Sequence, residues 1–113
     1  HLKNNTNCTL DSFCEMIART SDIMNIKNIG IGSDLCLNQP DEIVEWMRNG
    51  TWSKNKNYGE GSKNKPGFPK QPGWFEDARG FFNIEKGLRK VGFSEEETNG
   101  ILGNNWYNFY RNI

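Results

Sequence analysis

Long apolar runs are missing from this sequence. Only 35% of its 113 residues are hydrophobic, the mean hydropathy is −0.81, and the aliphatic residues fall in short islands. No run approaches the roughly 20 apolar residues of a membrane-spanning helix, so no membrane span is expected in this segment, and no signal peptide is visible. Histidine is almost absent. His1 is the only one, and a single histidine cannot build a metal site by itself. Cysteine occurs three times, at Cys8, Cys14 and Cys36. That odd number, with no Cys-x-x-Cys pair, argues against a disulfide framework or a zinc knuckle and fits a reducing compartment, the cytoplasm. Excess charge of either sign is missing too. Fourteen basic and fourteen acidic residues cancel, which leaves no electrostatic case for nucleic acid or an anionic membrane as partner. The chain opens on His1 rather than Met. With so small a reserve of core-forming residues, it reads as a piece of a larger protein.

What is present falls into four blocks. Thr9 is a suitable N-cap with Asp11 in the first turn, and Leu10, Phe13, Cys14, Ile17 and Met24 recur at helical spacing; the pattern predicts a helix over 9–25. A short link leads into Ile29-Gly-Ile-Gly-Ser-Asp34, read as a buried strand over 28–34. Helix, link, strand is half of a βαβ unit and implies a parallel sheet. Pro40, Asp41 and Glu42 suit the first turn of a helix over 40–49 whose apolar side is Ile43, Val44, Trp46 and Met47. Residues 51–75 have no helical or strand period and read as a long loop, with aromatic members that argue against plain disorder. The last block, 83–113, is helical. Ile84, Leu88 and Val91 make one amphipathic helix and Gly92 ends it. Ser94 with Glu97 forms a capping box with Phe93 as staple. A final helix carries Trp106, Tyr107, Phe109 and Tyr110.

The chemistry-bearing stretch is "NIGIGSDL", Asn28 to Leu35. A strand buried on both faces has no water for a carboxylate, so an acid belongs at its end, where parallel sheets place catalytic groups. Gly30 and Gly32 remove side chains from neighbouring positions and let a ligand, a metal centre or an adjacent layer approach. Asp34 there could ligate a metal or accept a proton. Equally, Asp34 could cap the following loop while the glycines relieve crowding. A dinucleotide fingerprint fits poorly, because its third glycine falls at Leu35 and no helix start follows.

The same residues resemble a family. "NIGIGSDL" is similar to the Val-Gly-Ile-Gly-Ser-Asp-Phe-Asp-Gly segment of the membrane (renal) dipeptidases, a family of zinc peptidases. "GLRKVGFSEEETNGILGNNWYNFY", Gly87 to Tyr110, resembles that family's closing segment. "DSFCEMIARTSDIMNIKNIGIGSD" resembles the helix and link before its last barrel strand, and "CLNQPDEIVEWMRNGTWSK" resembles a bacterial branch. The resemblance implies an α/β fold: the C-terminal part of a (β/α)8 TIM barrel, last strand plus flanking helices. A whole barrel needs ~250 residues, so the two zinc ions of the parent would be held by residues outside this chain. The substrate implied is a dipeptide. Asp34 carries over as the catalytic residue, the aspartate beside the metal-bridging water that accepts a proton and donates it during hydrolysis. The fragment alone is expected to be inactive. Two departures stand out. The family's Asp-Phe-Asp-Gly reads Asp34-Leu35-Cys36-Leu37 here, and the second glycine of its Gly-Gly-Asn is Asn104, for which left-handed backbone geometry would preserve the turn. Asn105 matches the family's Asn and reads as a turn and helix cap.

Two further expectations follow from the pattern. Residues Thr51 to Gly73 are placed to cover a site mouth or to reach a second subunit, which keeps a homodimer open. The alternative function is a non-catalytic helical interaction module: the three short helices of Ile84 to Ile113 loosely resemble ubiquitin-associated bundles, and residues 76–113 would then fold alone and expose an apolar patch around Phe93.

Overall fold

The computed structural model describes residues 8–35, 37–40, 42–43 and 71–113. The chain divides into two compact units, His1–Ser33 with Pro72–Ile113, and Asp34–Gln71.

In the first unit, α1 spans Leu10–Ser21 and starts as its sequence dictates: the Thr9 hydroxyl accepts the Ser12 backbone N–H at 3.1 Å. It stops short of residue 25. The Thr20 and Ser21 hydroxyls donate to the carbonyls of Met16 and Ala18 at 2.8 and 2.7 Å, and such side-chain bonds compete with continuation of the helix. Met24, expected on the apolar stripe, is exposed, as is Ile23. A 3-10 turn follows at Ile26–Asn28, capped by the Asn25 side chain on the Lys27 N–H.

Residues 71–75, expected as loop, are held in place. The Phe75 N–H donates to the Pro72 carbonyl at 2.8 Å, the Trp74 ring leans on Phe13 and Phe75 packs edge-on against Phe81. The Asp77 carboxylate caps a 3-10 turn at Ala78–Gly80, and α2 follows over Phe81–Lys90. It ends where Gly92 adopts φ 109°. The Phe93 N–H reaches back to the Leu88 carbonyl and the Gly92 N–H to Arg89, the paired bonds of a Schellman motif. The expected capping box is present: Ser94 Oγ accepts the Glu97 N–H at 3.2 Å while Glu97 Oε2 accepts the Ser94 N–H at 2.8 Å. It opens α3, Glu95–Asn99. A wide π-type turn at Gly100–Asn104 joins α3 to α4, Asn105–Arg111. Asn104 sits in ordinary right-handed geometry (φ −63°, ψ −30°), so the left-handed backbone expected of it is not needed.

The core gathers Cys14 and Ile17 of α1, Ile84 and Leu88 of α2, Thr98 of α3, and Ile29, Phe75 and Ile101 from the connections. Each fully buried aliphatic contributes about 1.5–3 kcal/mol. Lys90 of α2 closes the α1 side with an ion pair to Asp11 at 2.7 Å.

The expected α/β fold is overturned. Among the described residues there is no strand and no sheet, so the chain is not the last strand of a TIM barrel with its helices. Residues 28–34 do not form the predicted strand. Ile29 is extended (φ −102°, ψ 129°), but the carbonyls of Ile29 and Ile31 are taken by side chains of α4 rather than by a neighbouring strand. Extended backbone becomes a strand only through a ladder, and none forms here. The stretch then ends in a left-handed residue, Asp34, at φ 47°.

In the second unit, Asn38 is also left-handed at φ 56°, and the Ile43 N–H donates to the Pro40 carbonyl at 3.1 Å. Most of the helix expected over 40–49 and most of the 51–75 loop lie outside the described residues, as does Cys36.

Candidate functional site

The two sequence motifs that pointed furthest are in contact within the first unit: the Asn28–Ser33 part of "NIGIGSDL" and the closing "ILGNNW". The π-type turn at Gly100–Asn104 brings the start of α4 over the 3-10 turn at Ile26–Asn28. From there Asn105 Nδ2 donates to the carbonyls of Ile26 and Ile29 at 2.9 and 2.7 Å. Its Oδ1 faces Gly100 so closely that a Cβ there would lie 2.9 Å away. The Trp106 indole N–H donates to the Ile31 carbonyl at 3.3 Å, and the ring lies flat on Gly30, where a Cβ would fall 2.8 Å from Cδ1.

Gly30 therefore does clear space, and what fills it is the Trp106 ring. Gly32 faces open space. Asn105, expected as a cap, ties two segments together whose bonded residues are 79 and 76 positions apart. Nothing in the local pattern of either motif announces this clamp. The signal was the pairing of a bare glycine with a tryptophan in a distant motif, which only the fold joins.

Asp34, the predicted catalytic residue, is the first residue of the second unit and is exposed. Its left-handed backbone suits Asp, Asn or Gly, so the position also accounts for the residue type by conformation alone. Among the described residues no group of three or more His, Cys, Asp or Glu converges. The described residues thus do not fit a zinc centre of their own, and any zinc of a longer protein would need ligands from elsewhere.

Two other features border the site. A groove of about 690 Å3 runs between Lys27–Gly30 and α4, walled by Trp106, Phe109 and Ile113. The face of α4 beside it is aromatic and exposed, with Trp106 and Tyr110 stacked at 5.9 Å. The buried thiol of Cys14 is pushed up to about 11, first by burial and second by the nearby Asp11 carboxylate, which makes it inert rather than nucleophilic. Among the described residues no helix is long and apolar enough to cross a membrane. Family models, curated proteins and solved structures give no significant match to the chain.

Proposed function

We propose that this chain is the C-terminal portion of a zinc-dependent dipeptidase, with Asp34 as its proton-transfer residue. The observation that carries the reading is the Asn105 clamp. The two motifs resembling the dipeptidase family are distant in sequence, and the Asn105 amide bonds one directly to the other through the carbonyls of Ile26 and Ile29.

In this reading a dipeptide binds near Asp34 in the full-length protein. The exposed carboxylate takes a proton from the attacking water and delivers it to the amine that leaves when the peptide bond breaks. Zinc would supply charge stabilisation at the carbonyl. The resemblance puts its ligands on earlier parts of the parent, so the 113-residue chain by itself is expected to hydrolyse nothing.

The test is a single exchange in the full-length protein. Asp34→Asn keeps a residue at ease in left-handed backbone and removes the ionisable oxygen, so the turn survives and the proton carrier does not. A fall in kcat of roughly 10²–10⁴-fold is expected, with zinc content and KM near the parent's. Full turnover by the variant, or dipeptide hydrolysis by the 113-residue chain alone, would overturn the reading.

The interaction-module alternative receives less support. α2 buries Ile84 and Leu88 in the same core as Cys14 and Ile17 of α1, so the helices after residue 76 do not close a core among themselves. Phe93 is half-buried.

A further inference from the structure

We propose that the exposed aromatic face of α4 is the contact through which two copies of this protein pair. Trp106, Phe109 and Tyr110 fall at i, i+3 and i+4 of α4, and Ile113 continues the spacing just past its end. Such spacing gathers side chains on one helix face. The rings do gather: Trp106 and Tyr110 stack at 5.9 Å, and Phe109 meets both of them edge-on. A stripe of this pattern ordinarily faces a core. Here it faces outward, with Trp106 43%, Phe109 59%, Tyr110 66% and Ile113 86% exposed. The core of the first unit closes without it, on Cys14, Ile84, Leu88 and Ile101.

Area, shape and charge all suit a second copy. A whole aromatic side chain offers ~150–250 Å2, so at these exposures the four residues leave roughly 500 Å2 bare on each copy. Two such faces together would bury roughly 1,000 Å2, the amount at which a specific interface begins. The ridge of rings also runs beside the groove between Lys27–Gly30 and α4. A two-fold axis sets one patch against itself, and a ridge beside a groove lets each copy seat its ridge in the other's groove. The stripe itself carries no charge, and the groove is rimmed by Asn28, Asn108 and Asn112. An amide both donates and accepts, so such a rim bonds its own kind, where a rim of one charge sign would repel it. Among the described residues lining the groove, Lys27 alone is charged. It stands at the end shared with a second hollow, whose Glu96 and Glu97 offset it.

The test is sedimentation velocity of the full-length protein over roughly 1–100 µM, the range suited to a contact of this modest size. Phe109→Lys and Tyr110→Lys each put a charge on the stripe of both copies. Tyr107→Lys puts the same charge on α4 but off the stripe, at a residue 64% exposed. The parent is expected to pair, and each stripe variant to weaken pairing by at least about tenfold through like-charge repulsion. Tyr107→Lys is expected to stay within about twofold of the parent, as surface changes away from a contact do. A parent that remains monomeric at about 100 µM overturns the proposal, and so does a dimer that both stripe variants leave intact. Hydroxyl-radical footprinting of the parent gives a reading that needs no variant to fold. Labelling of Phe109 and Tyr110 should fall as protein concentration rises. Protection already complete in dilute protein means that another part of the same polypeptide covers the stripe, and it overturns the proposal; full labelling at every concentration does the same. Neither measurement involves hydrolysis, so pairing stands or falls apart from the dipeptidase reading.

Discussion

Gly30 is pressed against the indole of Trp106, with no room for a Cβ between them: one would lie 2.8 Å from Cδ1 and 2.9 Å from Cε2. Two residues on, Gly32 has nothing within 4 Å of the same construction. Two glycines in one short motif therefore have unlike reasons to be there. Gly30→Ala must displace the ring and break its bond to the Ile31 carbonyl, and is expected to cost about 1–3 kcal/mol of stability. Gly32→Ala is expected to stay within about 0.5 kcal/mol of the parent. Urea denaturation of the two variants checks this. Equal costs would mean that the indole does not rest on residue 30.

The same pair marks where the sequence was readable and where it was not. Local rules worked where one turn of helix decides the outcome. The Thr9 cap, the Ser94–Glu97 box, the stop at Gly92 and the buried Ile84 and Leu88 all follow from spacing and side-chain chemistry within a few residues. The strand over 28–34 failed because an apolar-glycine alternation specifies an extended backbone and not its partners. The partners here are Asn105 and Trp106, brought from the far end of the chain by the Gly100–Asn104 turn. The short reach of α1 failed for a smaller reason: Thr20 and Ser21 turned their hydroxyls onto the helix carbonyls. Asp34 as a chemical group was legible, but its left-handed backbone was not.

The contact between α1 and α2 depends on another bare position. A Cβ on Gly87 would lie 2.6 Å from Cys14 Sγ and 3.1 Å from Leu10 Cδ1. Gly87→Ala is expected to cost about 1–3 kcal/mol through overpacking, and Cys14→Ala about 1 kcal/mol through the space it leaves. The double variant should cost less than the sum, because the methyl added at 87 enters the volume vacated at 14. A coupling of at least ~0.5 kcal/mol in the denaturation cycle is the expected result; strict additivity would show that the two helices do not meet there.

Cys14 also sets a pH response. Burial lifts its thiol from 9.0 to about 11. Between those values the unfolded chain has released the proton and the folded chain has kept it, so the folded state binds more protons and stability falls as pH rises. Below about pH 9 the contribution is intact. Lys90, held above its usual range by its bond to Asp11, loses its stabilising charge in the same direction, so the two must be separated. Cys14→Ala removes the thiol and leaves the ion pair. Its stability relative to the parent should improve between about pH 8 and pH 11. A constant difference across that window would contradict a buried, protonated Cys14. Site-resolved alkylation gives a second reading: exposed Cys8 should label in the folded chain and Cys14 only on unfolding.

The junction of α2 and α3 concentrates two backbone devices within three residues. Gly92 sits at φ 109° with open space where a Cβ would go, so any cost of a side chain there is conformational and not steric crowding by neighbours. Gly92→Ala is expected to destabilise by about 1–2 kcal/mol. Gly92→Asn should cost less, since Asn is the residue that next best tolerates this end of a helix. Ser94→Ala strands the Glu97 N–H and is expected to cost about 1 kcal/mol. These devices aim α3 and so place the turn that carries Asn105. If Gly92→Asn proves more costly than Gly92→Ala in thermal denaturation, the Schellman bonds from Gly92 and Phe93 do not govern the junction. If the expected order holds, Gly92→Ala should also raise amide exchange at residues 29–31. The clamp reaches those residues only from a correctly oriented α4.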